Sequence, residues 1–305
     1  MLLDTGAGTS WIMSNDCTTA ACLIHNTYGA TNSTTFKTVT PTETFDINYG
    51  SGEVSGAYAT DTLSFAGLSL SATFGVATNT SSDFTAFPMD GILGLSRTTS
   101  NVQNFVQTLV ASKELKSNII GFDLNRAKDG TNNGEVNFGA PDTSKYSGSL
   151  SYTTCASDTS LDVQGDWAIA MDNIGFGTQQ VGITGKLAYI DTGTSYIFGP
   201  PADVKTFHAA VSGSDSSDCV SYTVPCSTTT SATFTFSGVT YEMSAEDWVG
   251  PETKGICYSN IYGEAVIPDQ WLLGDTFLKN VYTVFDVDEG RIGRLEMNAC
   301  RENYI

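Results

Sequence analysis

Short runs of alternating apolar and polar residues recur along this chain and stop at Gly, Asn or Asp. Thr44-Phe45-Asp46-Ile47-Asn48-Tyr49 alternates and then meets Gly50-Ser51-Gly52. A period of two puts one face of a strand on a core, and the glycine-rich stop predicts a hairpin. The stretch from Ser231 to Tyr241 repeats the pattern around Ser237-Gly238. Helical spacing is clear only over Val102 to Ser112 and Pro201 to Val211. The pattern predicts an all-β class of chain, mostly strands with a few short helices.

A second pattern runs at longer range. Asp4-Thr5-Gly6 follows the apolar Met1-Leu2-Leu3, and Asp191-Thr192-Gly193 follows Leu187-Ala188-Tyr189-Ile190. Each triplet is matched downstream by two apolar residues and a glycine, Ile92-Leu93-Gly94 and Leu272-Leu273-Gly274. Landmarks repeated in one order predict two related halves. The polar stretch Pro141 to Gly148 marks their boundary, giving residues 1–145 and 146–305. A lone Asp-Thr-Gly reads as a plain turn, with the aspartate bonding its own backbone and glycine at positive φ. Two copies in matched surroundings point instead to a pair of carboxylates brought to one task.

Charge and cysteine content narrow the field. The chain has 33 acidic against 14 basic residues, a net charge of −19. Such a surface repels phosphate backbones and anionic bilayers, which excludes nucleic acid and membrane as partners. It is compatible with simple solubility near neutrality and with work in acid, where protonation relieves the repulsion. No apolar stretch approaches the ~20 residues of a membrane span. Met1-Leu2-Leu3 runs straight into Asp4, with no leader pattern between. With only two histidines, His25 and His208, and no paired C-x-x-C, a zinc site is not expected. Cys17 and Cys22 are spaced like a small disulfide loop. Asn32-Ser33-Thr34 and Asn79-Thr80-Ser81 are glycosylation acceptors. Cysteines and sequons together lean toward an oxidising, secretory setting.

Asp4-Thr5-Gly6-Ala7-Gly8-Thr9-Ser10-Trp11, Asn48-Tyr49-Gly50-Ser51-Gly52, Met89-Asp90-Gly91-Ile92-Leu93-Gly94-Leu95, Asp191-Thr192-Gly193-Thr194-Ser195 and Trp271-Leu272-Leu273-Gly274-Asp275 resemble, in order, the successive signatures of the pepsin family. The match runs over nearly all of residues 1–298. The resemblance implies a bilobal β fold with a central cleft and one Asp-Thr-Gly loop from each lobe. It implies an aspartic endopeptidase, secreted or vacuolar/lysosomal. Such an enzyme is a monomer acting on proteins or peptides, uses no cofactor and is blocked by pepstatin-like inhibitors. Asp4 and Asp191 match the catalytic pair. Thr5, Gly6, Thr192 and Gly193 support them, and Thr194 matches a hydroxyl donor to Asp191. Tyr49, Gly50 and Ser51 match the flap that closes over substrate, with Trp11 bonding the flap tyrosine. Leu2 and Phe84 match the pocket before the scissile bond and Tyr189 a position after it, which implies bulky apolar side chains on both sides of the cut. Cys17–Cys22 and Cys226–Cys257 match family disulfides, leaving Cys155, Cys219 and Cys300 without an assigned pairing.

The residue types suit that chemistry. Metal-free peptide hydrolysis needs one base to activate water and one acid to protonate the carbonyl oxygen and the departing amine. Two close carboxylates cannot both ionise, so they share a proton and fill both roles. Three features depart from the family pattern. Ala7 stands where a serine hydroxyl is usual, and Ser51 replaces an acidic flap residue of some fungal members. Family chains also carry a segment ahead of the first Asp-Thr-Gly that supplies strands to the first lobe, so the resemblance implies a first lobe short of them here. The alternatives are a non-catalytic binding or inhibitor protein on the same fold and a two-carboxylate glycosidase. The first usually loses one aspartate, and the second needs other motifs.

Overall fold

The hairpin expected at Gly50-Ser51 forms. Strand Thr44–Tyr49 runs antiparallel to Gly52–Phe65, in register from Thr44↔Ala57 to Tyr49↔Gly52. The second one forms too, with Phe236 opposite Val239. Its turn residues Ser237 and Gly238 have φ of 51° and 77°. Both signs are positive, the geometry that suits the twist of a two-residue hairpin. The computed structural model describes residues 1–39, 43–98, 102–130, 132–157 and 166–296.

The chain falls into two compact units, Met1–Lys116 and Ser117–Ile305. The first is built on a sheet in which Leu2–Asp4 pairs parallel with Gly91–Gly94, and Gly91–Gly94 antiparallel with Trp11–Met13. Trp11–Met13 in turn lies parallel to the long strand Leu68–Thr80, which pairs with Gly52–Phe65. Trp11, Met13, Phe45, Val54, Phe84 and Ile92 form the core beneath it.

In the second unit, Lys186–Ile190 pairs parallel with Trp271–Leu273, and Trp271–Leu273 antiparallel with Ile197–Phe198. The third strand pairs parallel with Ile261–Tyr262. Alternation sorts this sheet into two faces. Ile190, Leu273, Ile197 and Ile261 share one row and are buried. Tyr189, Leu272, Phe198 and Tyr262 share the next row on the opposite face.

The units divide at Lys116/Ser117 and not within Pro141 to Gly148. Strand Ile119–Asp123 pairs with Glu135–Phe138 on one side and with Val281–Asp286 on the other. A partner so distant along the chain leaves no trace in local polarity. The first helix spans Phe105–Ser112 and starts later than its spacing predicts. Asn104 accepts from the Gln107 N–H at 2.8 Å, and the Gln107 side chain accepts from the Asn104 N–H at 2.9 Å. This reciprocal cap fixes the start. The second helix is Pro201–Ala209, and two one-turn helices, Ala245–Trp248 and Asp275–Leu278, add to the expected pair. All four tryptophans are buried.

Candidate active site

Each Asp-Thr-Gly triplet sits where an apolar strand ends against a parallel neighbour. In the first unit, Gly6 N–H donates to Asp4 Oδ1 at 2.8 Å. Leu95 N–H donates to the Asp4 carbonyl at 2.7 Å and Ser96 N–H to the Ala7 carbonyl at 3.1 Å. In the second unit, Gly193 N–H donates to Asp191 Oδ1, again at 2.8 Å. Asp191 N–H donates to Leu273 at 3.0 Å and Asp275 N–H to Thr194 at 2.8 Å. The downstream glycines allow the close approach. A Cβ on Gly94 would lie 2.5 Å from the Ala7 carbonyl oxygen, and one on Gly274 2.1 Å from that of Thr194. The duplicated sequence pattern is therefore a duplicated local geometry.

The loops part straight after the shared triplet. Thr194 Oγ1 donates to Asp191 Oδ2 at 2.6 Å. Ala7, at the matching place, brings no hydroxyl. Thr5 and Thr192 are buried.

In the first unit, Tyr49 ends the strand before the Gly50-Ser51 turn and receives the Trp11 indole N–H at 2.9 Å. Phe84 is buried edge-on to Trp11, with ring centroids 5.4 Å apart, and to Tyr49 at 6.3 Å. A cavity of about 360 Å³ is lined by Gly6, Ala7, Gly8, Ile47, Tyr49 and Thr98. Leu2 is half-buried on the strand that leads to Asp4. In the second unit, Tyr189 lies half-buried in the row with Leu272, Phe198 and Tyr262, and Phe198 stacks on Tyr262 at 5.7 Å. Tyr196 adds an exposed ring against Tyr262 at 5.3 Å.

Asp275, bonded through its N–H to the second loop at Thr194, is a carboxyl that the motif alone did not single out. Its Oδ1 is buried with no hydrogen-bond partner. Desolvation, followed by the negative charge of Asp191, pushes its pKa up to about 7, against an opposing pull from Lys279. Its position straight after Leu272-Leu273-Gly274 was the only available signal. Cys17–Cys22 and Cys226–Cys257 are disulfide-bonded. Cys155 is buried and Cys219 exposed, whereas Cys300 lies outside the described residues. Asn32 and Asn79 are both exposed. Among the described residues no cluster of three or more His, Cys, Asp or Glu is placed to hold a metal ion. Among them no helix is long and apolar enough to cross a membrane.

Comparison with known proteins gives a consistent answer. The "Probable aspartic-type endopeptidase CTSD" of Arthroderma otae is 45% identical over 297 residues, covering 96% of this chain and 77% of that protein. The "Aspartic-type endopeptidase ctsD" of Aspergillus fumigatus is 42% identical over 298 residues, 96% of this chain but 61% of the relative. The chain thus spans under two thirds of that relative's length. Cathepsin D of Canis lupus familiaris is 33% identical over 319 residues, 96% of this chain and 76% of that one. The family profile described as "Eukaryotic aspartyl protease" matches residues 1–296. With both Asp-Thr-Gly loops built alike and the whole described fold inside that match, the chain belongs to the eukaryotic aspartyl protease family.

Proposed function

We propose that this protein is an aspartic-type endopeptidase that cuts proteins or peptides in acid, with Asp4 and Asp191 acting as one acid–base pair. The observation that carries this reading is the repeated geometry of the two loops. In each, a glycine N–H meets the aspartate Oδ1 at 2.8 Å. One carboxylate, ionised, takes a proton from water as it attacks the scissile carbonyl. The other, protonated, gives its proton to the carbonyl oxygen, and the pair then protonates the leaving amine. The pair needs a single shared proton, so activity belongs to acid and fades as that proton leaves. The Thr194 hydroxyl donates to Asp191 Oδ2 and holds that carboxyl in place. Tyr49, Gly50 and Ser51 serve as the flap. Leu2, Trp11 and Phe84 offer an apolar wall before the cut, and Tyr189 one after it.

The same reading makes the protein a monomer, secreted or vacuolar, inhibited by pepstatin-like peptides and carrying glycans at Asn32 and Asn79. A non-catalytic binding protein on this fold is less favoured, because both aspartates and their glycine donors are kept. The test is digestion of denatured haemoglobin or casein at pH 3–4 by the full protein, with and without a statine-type inhibitor, beside Asp4→Asn and Asp191→Asn. Each variant is expected to lose all but a thousandth of the rate or less while keeping its melting transition, since the pair works only as a unit. Either folded variant retaining more than about a hundredth of the wild-type rate would refute the reading.

A further inference from the structure

His25 occupies a hydrogen-bonding arrangement that only one protonation state completes. Its Nδ1 lies 2.8 Å from the carbonyl oxygen of Ala21, inside the Cys17–Cys22 loop. Its Nε2 lies 2.6 Å from the carbonyl oxygen of Phe87. A carbonyl oxygen only accepts, and a neutral imidazole has one N–H and one bare nitrogen. One of the two contacts would then set lone pair against lone pair. The imidazolium donates both.

The next residue grips the same segment. Asn26 donates its backbone N–H to Asp90 Oδ1 at 3.0 Å and its side-chain amide to Oδ2 at 2.9 Å. These bonds, the side-chain one foremost, hold the Asp90 carboxyl below its ordinary range. Asp90 is also the charged group that faces His25. The Ala21 and Phe87 carbonyls, aided by Asp90 and opposed by desolvation, raise the imidazole above its ordinary value.

Residues 87–90 are thus held at both ends, and what flanks them belongs to the site. Upstream is Phe84, packed on Trp11 and Tyr49. Downstream is Gly91–Gly94, in register with Leu2–Asp4.

We propose that His25 is a positioning residue for the substrate pocket. As an imidazolium it latches the Phe87 carbonyl to the Cys17–Cys22 loop and sets Phe84 against Trp11 and Tyr49, and it releases that segment once the ring gives up its proton. The inference rests on the reading of Phe84 as a pocket wall. Its sign follows from linkage. The proton is held more tightly in the folded chain, so the latch contributes fully below the unfolded histidine value and is lost as pH rises through the folded one.

The direct test needs no substitution at His25. The chain has two histidines, so long-range proton–nitrogen correlation of the imidazoles in the ¹⁵N-labelled full chain, with His208→Phe for assignment, reads each ring separately. Both His25 nitrogens are expected to be protonated at pH 6, with half-titration above the ordinary value. A bare ring nitrogen on His25 at pH 6 overturns the latch. The second arm is His25→Gln, whose amide donates from one nitrogen where the imidazolium donates from two. At pH 4 the KM for a peptide with Phe before the cut is expected to rise about three- to tenfold while kcat stays within about twofold. An unchanged KM removes the positioning role even if the ring is doubly protonated. If His25→Gln does not fold, the titration of the wild-type chain decides. If the wild-type chain cleaves nothing, the peptidase reading fails on its own. The latch is then decided by the titration and by the affinity of a statine-type peptide for wild type and variant.

Discussion

The Trp11 indole N–H donates to the Tyr49 hydroxyl at 2.9 Å, tying the strand after the first Asp-Thr-Gly loop to the end of the Thr44–Phe65 hairpin. Trp11 is fully buried and fixed by its edge contact with Phe84, so it gives the tyrosine a rigid partner. Burial, with the Asp4 charge adding to it, keeps the Tyr49 hydroxyl protonated far above the ordinary tyrosine range, while the Trp11 bond pulls the other way.

Tyr49→Phe removes the acceptor and leaves the Trp11 N–H unpaired. An unsatisfied buried donor costs about 1–3 kcal/mol. Steady-state rates on a chromogenic peptide are expected to show kcat/KM reduced about tenfold or more. A loss under twofold would mean that the bond does not serve the substrate complex.

Ala7→Ser restores a hydroxyl to the first loop at the place where Thr194 bonds Asp191 in the second. The cavity of about 360 Å³ beside Ala7 has room for the added oxygen. A hydroxyl donating to the ionised carboxylate of Asp4 lowers its proton affinity. The acid limb of the kcat/KM profile is expected to move to lower pH. A limb that stays put or moves up would show that this side chain does not reach Asp4.

Asp275 keeps its proton up to about 7 in the folded chain, whereas an ordinary aspartate releases it near 3.8. Between those values the unfolded chain gives up a proton that the folded chain retains. Its stability is therefore whole below about pH 4 and is lost as pH rises toward 7, by about 4 kcal/mol at most. Asp275→Asn cannot ionise. Calorimetry is expected to show a higher Tm than wild type at pH 7 and little difference at pH 3.5. Equal shifts at both values would contradict the assignment.

His208 behaves in the opposite sense. It is stacked on Tyr222 at 4.0 Å, Nδ1 donates to the Val204 carbonyl, and Nε2 is buried without a partner. Desolvation pushes its pKa down to about 4, against the Val204 bond. Below about 6.5 the unfolded chain binds a proton that the folded chain refuses, so stability falls as pH drops from 6.5 to 4, by about 3 kcal/mol. His208→Phe keeps the stack and removes the titration. The Tm lost between pH 7 and pH 4 is expected to be smaller in the variant, and an identical loss would clear His208 of that role.

The sequence by itself determined what short-range physics writes into it. Alternation fixed the strands of the hairpins at Gly50-Ser51 and Ser237-Gly238, because period two is a local requirement, and in the second hairpin so is the positive φ of both turn residues. The repeated Asp-Thr-Gly with its downstream glycines named the residues of both loops, since only glycine admits the 2.5 and 2.1 Å approaches at Gly94 and Gly274. What the tertiary structure decided depends on partners far apart in the chain. Ile119–Asp123 pairs with Val281–Asp286 and moves the division between the units to Lys116. Asp275 holds its proton because folding strips its water and brings Asp191 near. His25 faces two carbonyl oxygens only because Phe87 is folded back on the Cys17–Cys22 loop. Desolvation and proton affinity are set by what surrounds a group in space, and no local pattern records that.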